Sequence, residues 1–219
     1  MKTTPKSLLR LAMIFLCTSS LSSVVQAQTL IIGNPVMSGN GCAPGTTSVV
    51  LSPDQSVLSV LFSAFSAEAG PEVGRANART ICEMRIPVKV PDGYKLKVMK
   101  IDYRGFVSLP TRISNARLTT RHGFLDRKRN KRAIAGDNKQ YLGPASKDII
   151  ETQSLRNAWD SDCGAQTDIE LQTELEVSNR GTNDRAGTAF LSLESMDAPG
   201  AGLFYDMELK PCNGNGRNR

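Results

Sequence analysis

Apolar and polar residues alternate with a period of two over long stretches of this chain. Ile169, Leu171, Leu175 and Val177 interleave with Glu170, Gln172, Glu174 and Glu176. Tyr205, Met207 and Leu209 interleave with Asp206, Glu208 and Lys210. Period two places successive side chains on opposite faces of a strand, one dry and one wet. Residues 189–193 predict a partner strand. Residues 57–65 are more continuously apolar and predict a central strand buried on both sides. Ile86, Val88 and Val90 predict another, ended by the turn Pro91-Asp92-Gly93. In the next segment Tyr94, Leu96 and Val98 share one parity, while Met99, Ile101 and Tyr103 share the other. Such a switch predicts a bulge near Val98-Met99 or a strand crossing between sheets. A few helical residues are expected near Arg75–Ile81. The pattern as a whole predicts an all-β protein, a single antiparallel β-sandwich-like domain.

The first residues read differently. Lys2, Lys6 and Arg10 precede an apolar run, and Val25-Gln26-Ala27 offers small residues at the positions a signal peptidase reads. Residues 1–27 are therefore expected to be a signal peptide, in preference to a short anchor. Lipidation of Cys17 is disfavoured by Leu16 before it. The folded domain is expected over 28–212, and the apolar-free tail 213–219 is expected to be disordered. No transmembrane segment is expected in the mature form. Loss of the leader changes the charge. The whole chain has 27 basic and 21 acidic residues. Three of the cations leave with the leader, so 24 remain against 21, a net of +3. That weak excess, with one Trp, four Tyr and seven Phe, argues against nucleic acid as a partner.

Four cysteines remain in an oxidising compartment, at intervals of 40, 81 and 49 residues. None of these intervals has the short spacing of a zinc site, so two disulfides are expected and no metal. Of the three connectivities, Cys42–Cys82 and Cys163–Cys212 are favoured, because each joins the rim of one strand group to its own neighbourhood.

Several segments in order carry a resemblance: Gly41-Cys42-Ala43-Pro44-Gly45, Leu51-Ser52-Pro53-Asp54, Val60 to Phe65, Cys82 and Pro91-Asp92-Gly93-Tyr94. They continue through Asp102-Tyr103-Arg104-Gly105-Phe106, Gly143-Pro144, Trp159-Asp160-Ser161-Asp162-Cys163-Gly164 and Cys212. In these the chain resembles the secreted family catalogued as a domain of unknown function, DUF4360, over residues 40–212. Ala43 departs from the family's Gly-Cys-Pro-x-Gly step, and Leu209-Lys210-Pro211-Cys212 lacks the Trp often found there. The resemblance implies a secreted, cysteine-bonded domain and no particular reaction.

Candidate chemistry is sparse. Asp102 and Arg104 share a strand face, with Tyr103 opposite in the core. They are read first as an exposed ion pair and second as a ligand contact. Gly105 is expected to allow a bulge or a close backbone approach. Trp159 beside Asp160 and Asp162 suggests sugar contact or, for a hydrolase, an acid–base pair. The competing reading packs the ring on the disulfide of Cys163. His122, the only histidine, lies beside a basic segment and is expected to be a solvated loop residue. Arg127, Lys128, Arg129, Lys131 and Arg132 form a charge run. It suits a solvated loop or an anionic surface such as an acidic polysaccharide or the cell envelope. No cofactor motif is present, and no protein partner is indicated. The sequence thus favours a secreted or periplasmic non-enzymatic binding or structural module and leans away from an enzyme. The rival is a hydrolase of envelope or extracellular polysaccharide, and a disulfide-rigid inhibitor is a third reading.

Overall fold

The computed structural model describes residues 29–126, 131–155, 160–181, 186–194 and 200–212. The side chains of residues 124, 126 and 131–134 lie outside that description, as do the expected leader 1–27 and tail 213–219. Among the described residues thirteen strands run in chain order: β1 Ile31–Ile32, β2 Val36–Ser38, β3 Thr47–Leu51, β4 Val57–Phe62, β5 Ser66–Ala69, β6 Asn77–Lys89 and β7 Tyr94–Leu109. Then come β8 Ser114–Asp126, β9 Lys131–Leu142, β10 Ala145–Ser154, β11 Gln166–Asn179, β12 Ala189–Ser192 and β13 Gly202–Pro211.

They form two antiparallel sheets. The six-stranded sheet has the order β1-β6-β11-β8-β9, with β2 also on β6. The seven-stranded sheet is built around β7. One edge of β7 carries β10 along residues 100–109. Its other edge carries β13 along 94–104 and then β12 along 106–108. β4 and β3 extend the sheet beyond β13, and β5 extends it beyond β12. The inward rows of both sheets meet in one core: Met84, Ile86, Leu118, Ile169, Leu171 and Leu175 from one, Leu58, Val60, Leu96, Ile101, Leu203 and Tyr205 from the other. Each such side chain stabilises the fold by roughly 1.5–3 kcal/mol through removal of apolar surface from water.

The parity switch in β7 is a bulge. Asp206 pairs with Lys100 but Met207 pairs with Val98, which leaves Met99 as the extra residue. Leu96 and Val98 point inward before it, Ile101 and Tyr103 after it. Met99, expected inside with them, is 41% exposed because the bulged residue belongs to neither row.

Three expectations are corrected. Residues 77–81 are not helical. They open β6 and pair with 174–178 of β11; a 3-10 turn precedes them at Pro71–Val73, started by a proline at its N-terminus. β4 ends at Phe62 and alternates between buried and half-buried positions, so only its inward row is fully buried. The 127–132 charge run is not all loop: Lys131 and Arg132 begin β9, paired with Leu125 and Phe124. Both favoured disulfides are present. Cys42–Cys82 ties the segment after β2 to β6, with Cα atoms 5.3 Å apart. Cys163–Cys212 ties the approach to β11 to the end of β13, at 6.2 Å.

Candidate functional site

The outer face of the six-stranded sheet is paved by charge in register. Central strand β11 presents Asp168, Glu170, Gln172, Glu174 and Glu176 outward. On one side Arg85 lies opposite Glu170 and Glu83 opposite Gln172. On the other, Gly123 lies opposite Glu170, Arg121 opposite Gln172 and Arg117 opposite Glu176. Arginines of both flanking strands reach the acids between them. Arg85 lies 3.5 Å from Glu170 and 3.8 Å from Asp168. Arg117 lies 3.4 Å from Glu176, and the Nη2 of Arg79 donates to Glu174 at 2.9 Å. Strand β2 closes one margin with Val36 opposite Arg85 and Ser38 opposite Glu83.

A groove of about 390 Å³ runs over this face, lined by Ser38, Glu83, Arg85, Arg121, Gly123 and Gln172 among others. Gly123 opens it, because the position in the outer row of β8 opposite Glu170 carries no side chain. The groups around the gap are pre-ordered. Glu83 accepts hydrogen bonds from Gln172 Nε2 at 3.2 Å and from Ser38 Oγ at 3.3 Å. The groove therefore holds guanidinium, amide and hydroxyl donors beside carboxylate acceptors, on rigid strands.

On the opposite outer face, Asp102 and Arg104 share a side of β7 as the sequence predicts. Asp102 is not an exposed partner, however: β10 and β13 flank it and leave it 8% exposed. Its Oδ1 accepts from Thr152 at 2.7 Å. Its Oδ2 lies 3.3 Å from Lys100 Nζ and 3.6 Å from Arg104. Burial alone would raise the Asp102 carboxyl. Hydrogen bonds from Thr152 and Lys100, with the charges of Lys100 and Arg104, hold it below the ordinary carboxylate value instead. Arg104 lies over the Phe204 ring, 4.8 Å from its centroid. The cluster is satisfied within itself.

Asp160 pairs with Lys95. Asp160 and Asp162 are exposed on either side of buried Ser161, which is pinned to Leu96 by two hydrogen bonds of 2.7 and 2.8 Å. Asp162 borders a hollow beside the Cys163–Cys212 disulfide. Trp159, Arg127, Lys128 and Arg129 lie outside the described residues. Among the described residues no group of three or more His, Cys, Asp or Glu side chains gathers as metal ligands, and no helix is long and apolar enough to cross a membrane.

His122 is the largest departure from the sequence reading. It is 1% exposed, on the inward row of β8, not in a solvated loop. Its Nε2 lies 2.7 Å from the Tyr103 hydroxyl and its Nδ1 3.0 Å from that of Tyr205. Tyr103 donates to Gln153 Oε1 at 2.8 Å and accepts from Thr120 at 3.1 Å. Tyr103 therefore accepts from His122 Nε2–H, and Tyr205 donates to Nδ1. Gln153 Nε2 then donates to the Gly136 carbonyl at 3.3 Å. The chain links both sheets through the core. Burial holds the imidazole down to about 3 and pushes both tyrosines up. Placed here, His122 serves the fold.

Residues 28–212 match the family described as Domain of unknown function (DUF4360). The chain belongs to that family. It is 27% identical over 168 residues to an uncharacterized secreted protein of Arthroderma benhamiae, covering 73% of this chain and 62% of the relative. The chain thus spans about three fifths of the length of the curated relative it matches. Among solved structures it is similar to TmCBM61 in complex with beta-1,4-galactotriose, at 12% identity and a TM-score of 0.30, over 81% of this chain and 88% of that one. A bacteriophage CBA120 tailspike protein 4 enzymatically active domain gives 12% identity and 0.24, over 82% and 19%. Likenesses of this size bear on neither fold nor ligand.

Proposed function

We propose that this DUF4360 protein is a secreted, non-enzymatic binding module whose ligand is a glycan laid across the outer face of the six-stranded sheet. The observation that carries this reading is the groove over Gly123, where Ser38, Glu83, Arg85, Arg121 and Gln172 converge. Sugar hydroxyls both donate and accept. A surface that alternates carboxylate, amide, hydroxyl and guanidinium meets them in either role. Groups already held by cross-strand bonds lose little freedom when a ligand arrives. Among the described residues no Phe, Tyr or Trp lines the groove, so recognition there rests on hydrogen bonds. The 127–132 charge run follows in sequence from the same strand, β8, that walls the groove. It is proposed to add contacts to an acidic polymer or envelope surface.

The test is retention of the purified protein on a panel of insoluble envelope and extracellular glycans, with the supernatant analysed by mass spectrometry. Retention without soluble fragments is expected. Glu83→Ala with Arg85→Ala should weaken retention roughly tenfold or more, the effect of losing charge-assisted hydrogen bonds. Unchanged retention in that variant would remove the groove from the site. Fragments that vanish on Asp160→Asn or Asp162→Asn would establish the hydrolase instead.

A further inference from the structure

The charge pattern on the six-stranded sheet is broken inside the groove. Arg79, Arg85 and Arg117 each reach a carboxylate of β11. The acidic row of β11 is interrupted at a single outward position of the stretch 168–176, where Gln172 replaces an acid. Arg121 is the residue directly opposite Gln172. On its other side it pairs with Gly136, which offers no side chain. The Arg121 stem crosses above that glycine, its Cγ 3.7 Å from where a Cβ would stand. Arg121 is exposed and has no ion-pair partner among the described residues. Gln172 donates its amide nitrogen to Glu83 and offers Arg121 no carboxylate.

From this we infer that Arg121 anchors a carboxylate supplied by the ligand, so that the groove selects glycans containing uronic acid residues. This deepens the glycan-binding reading and rests on it. The planar guanidinium fork matches a carboxylate in a bidentate pair. The same face already satisfies Arg79, Arg85 and Arg117 with carboxylates across a strand. The neighbouring Glu83 and Glu170 repel anions in general, so charge alone is a poor anchor here and the matched geometry of a carboxylate is required. Gly123, beside Arg121 in the groove lining, carries no side chain and leaves room for the sugar ring that bears it.

The experiment is affinity electrophoresis or titration calorimetry of the purified protein with three soluble polymers: a neutral galactan, a polygalacturonate and a sulfated dextran. The expected order places polygalacturonate roughly tenfold or more above the galactan, with the sulfated polymer below polygalacturonate. Arg121→Gln should erase that preference, so that polygalacturonate and galactan bind the variant equally. Gln172→Glu should do the same from the other side, since it supplies the missing carboxylate from the protein and pairs Arg121 internally. A chain with Arg127, Lys128, Arg129, Lys131 and Arg132 all changed to Gln should keep the preference. Equal binding of galactan and polygalacturonate by the unaltered protein overturns the inference and leaves the glycan-binding reading standing. So does a preference that survives Arg121→Gln, one lost with the 127–132 cations, or equal binding of the sulfated polymer. Binding of none of the three polymers overturns both.

Discussion

Replacing His122 by leucine and Tyr205 by phenylalanine together removes the hydrogen bond between them without stranding either partner. Tyr103 keeps Thr120 as donor and Gln153 as acceptor. At pH 7 the double variant should therefore lie within about 1–2 kcal/mol of the parent, whereas His122→Leu alone leaves the buried Tyr205 hydroxyl unpaired and costs roughly 1–3 kcal/mol. The informative difference appears in acid. Unfolded, the imidazole takes a proton near its ordinary 6.5. Folded, it does so only near 3. A depressed histidine thus contributes no pH dependence above 6.5. Below it the unfolded state binds the extra proton, so stability falls as pH drops from 6.5 towards 3, by up to about 1.4 kcal/mol per unit. Between pH 7 and pH 4 this amounts to about 3 kcal/mol that the double variant does not lose. Urea unfolding at pH 7, 6, 5 and 4 measures it, with comparable slopes against denaturant required for a fair comparison. The variant's midpoint should rise relative to the parent's as pH falls. Parallel pH profiles would refute the assignment of a neutral, buried His122, because Tyr205, the other group removed, stays protonated throughout this range and the remaining titrating groups are common to both proteins.

Two further outcomes follow from the fold. A Cβ at Gly105 would stand 2.0 Å from the Ser192 carbonyl oxygen and 2.8 Å from Leu193 Cδ2. Gly105→Ala should therefore lower stability by roughly 1–3 kcal/mol or more, measured by urea midpoint, and a neutral result would contradict the close approach of β12 to β7. Opening Cys163–Cys212 with serine at both positions should cost about 4 kcal/mol for a closed loop of this size, while leaving the far-ultraviolet circular dichroism of the two sheets in place below the transition.

Much of the architecture was legible because alternation is a local property. The rows of β11 and β13 are written in their own residues. So is the bulge, since a parity switch needs no knowledge of the partner strand. The close approach at Gly105 was also readable, as a glycine inside a strand. His122 was misread through its neighbours: Arg121 and Gly123 suggest a loop. The signal that would have placed it is again parity, because Ala116, Leu118, Thr120 and His122 alternate with Asn115, Arg117, Thr119 and Arg121. Asp102 was put on the correct face but at the wrong depth, since its cover comes from Thr152 and Phe204, about 50 and 100 residues away. The groove was invisible for the same reason. Glu83, Gln172 and Arg121 lie in one cross-strand row only after three distant segments pair, and no stretch of sequence records that register.

The most direct test of the binding reading is amide chemical-shift mapping of the isotope-labelled protein during titration with a polygalacturonate oligosaccharide. The account predicts perturbations centred on Ser38, Glu83, Arg85, Arg121, Gly123 and Gln172, with the seven-stranded sheet unaffected. Perturbations centred on Asp102, Arg104 and Phe204 or on residues 160–163, or none at saturating ligand, would contradict it.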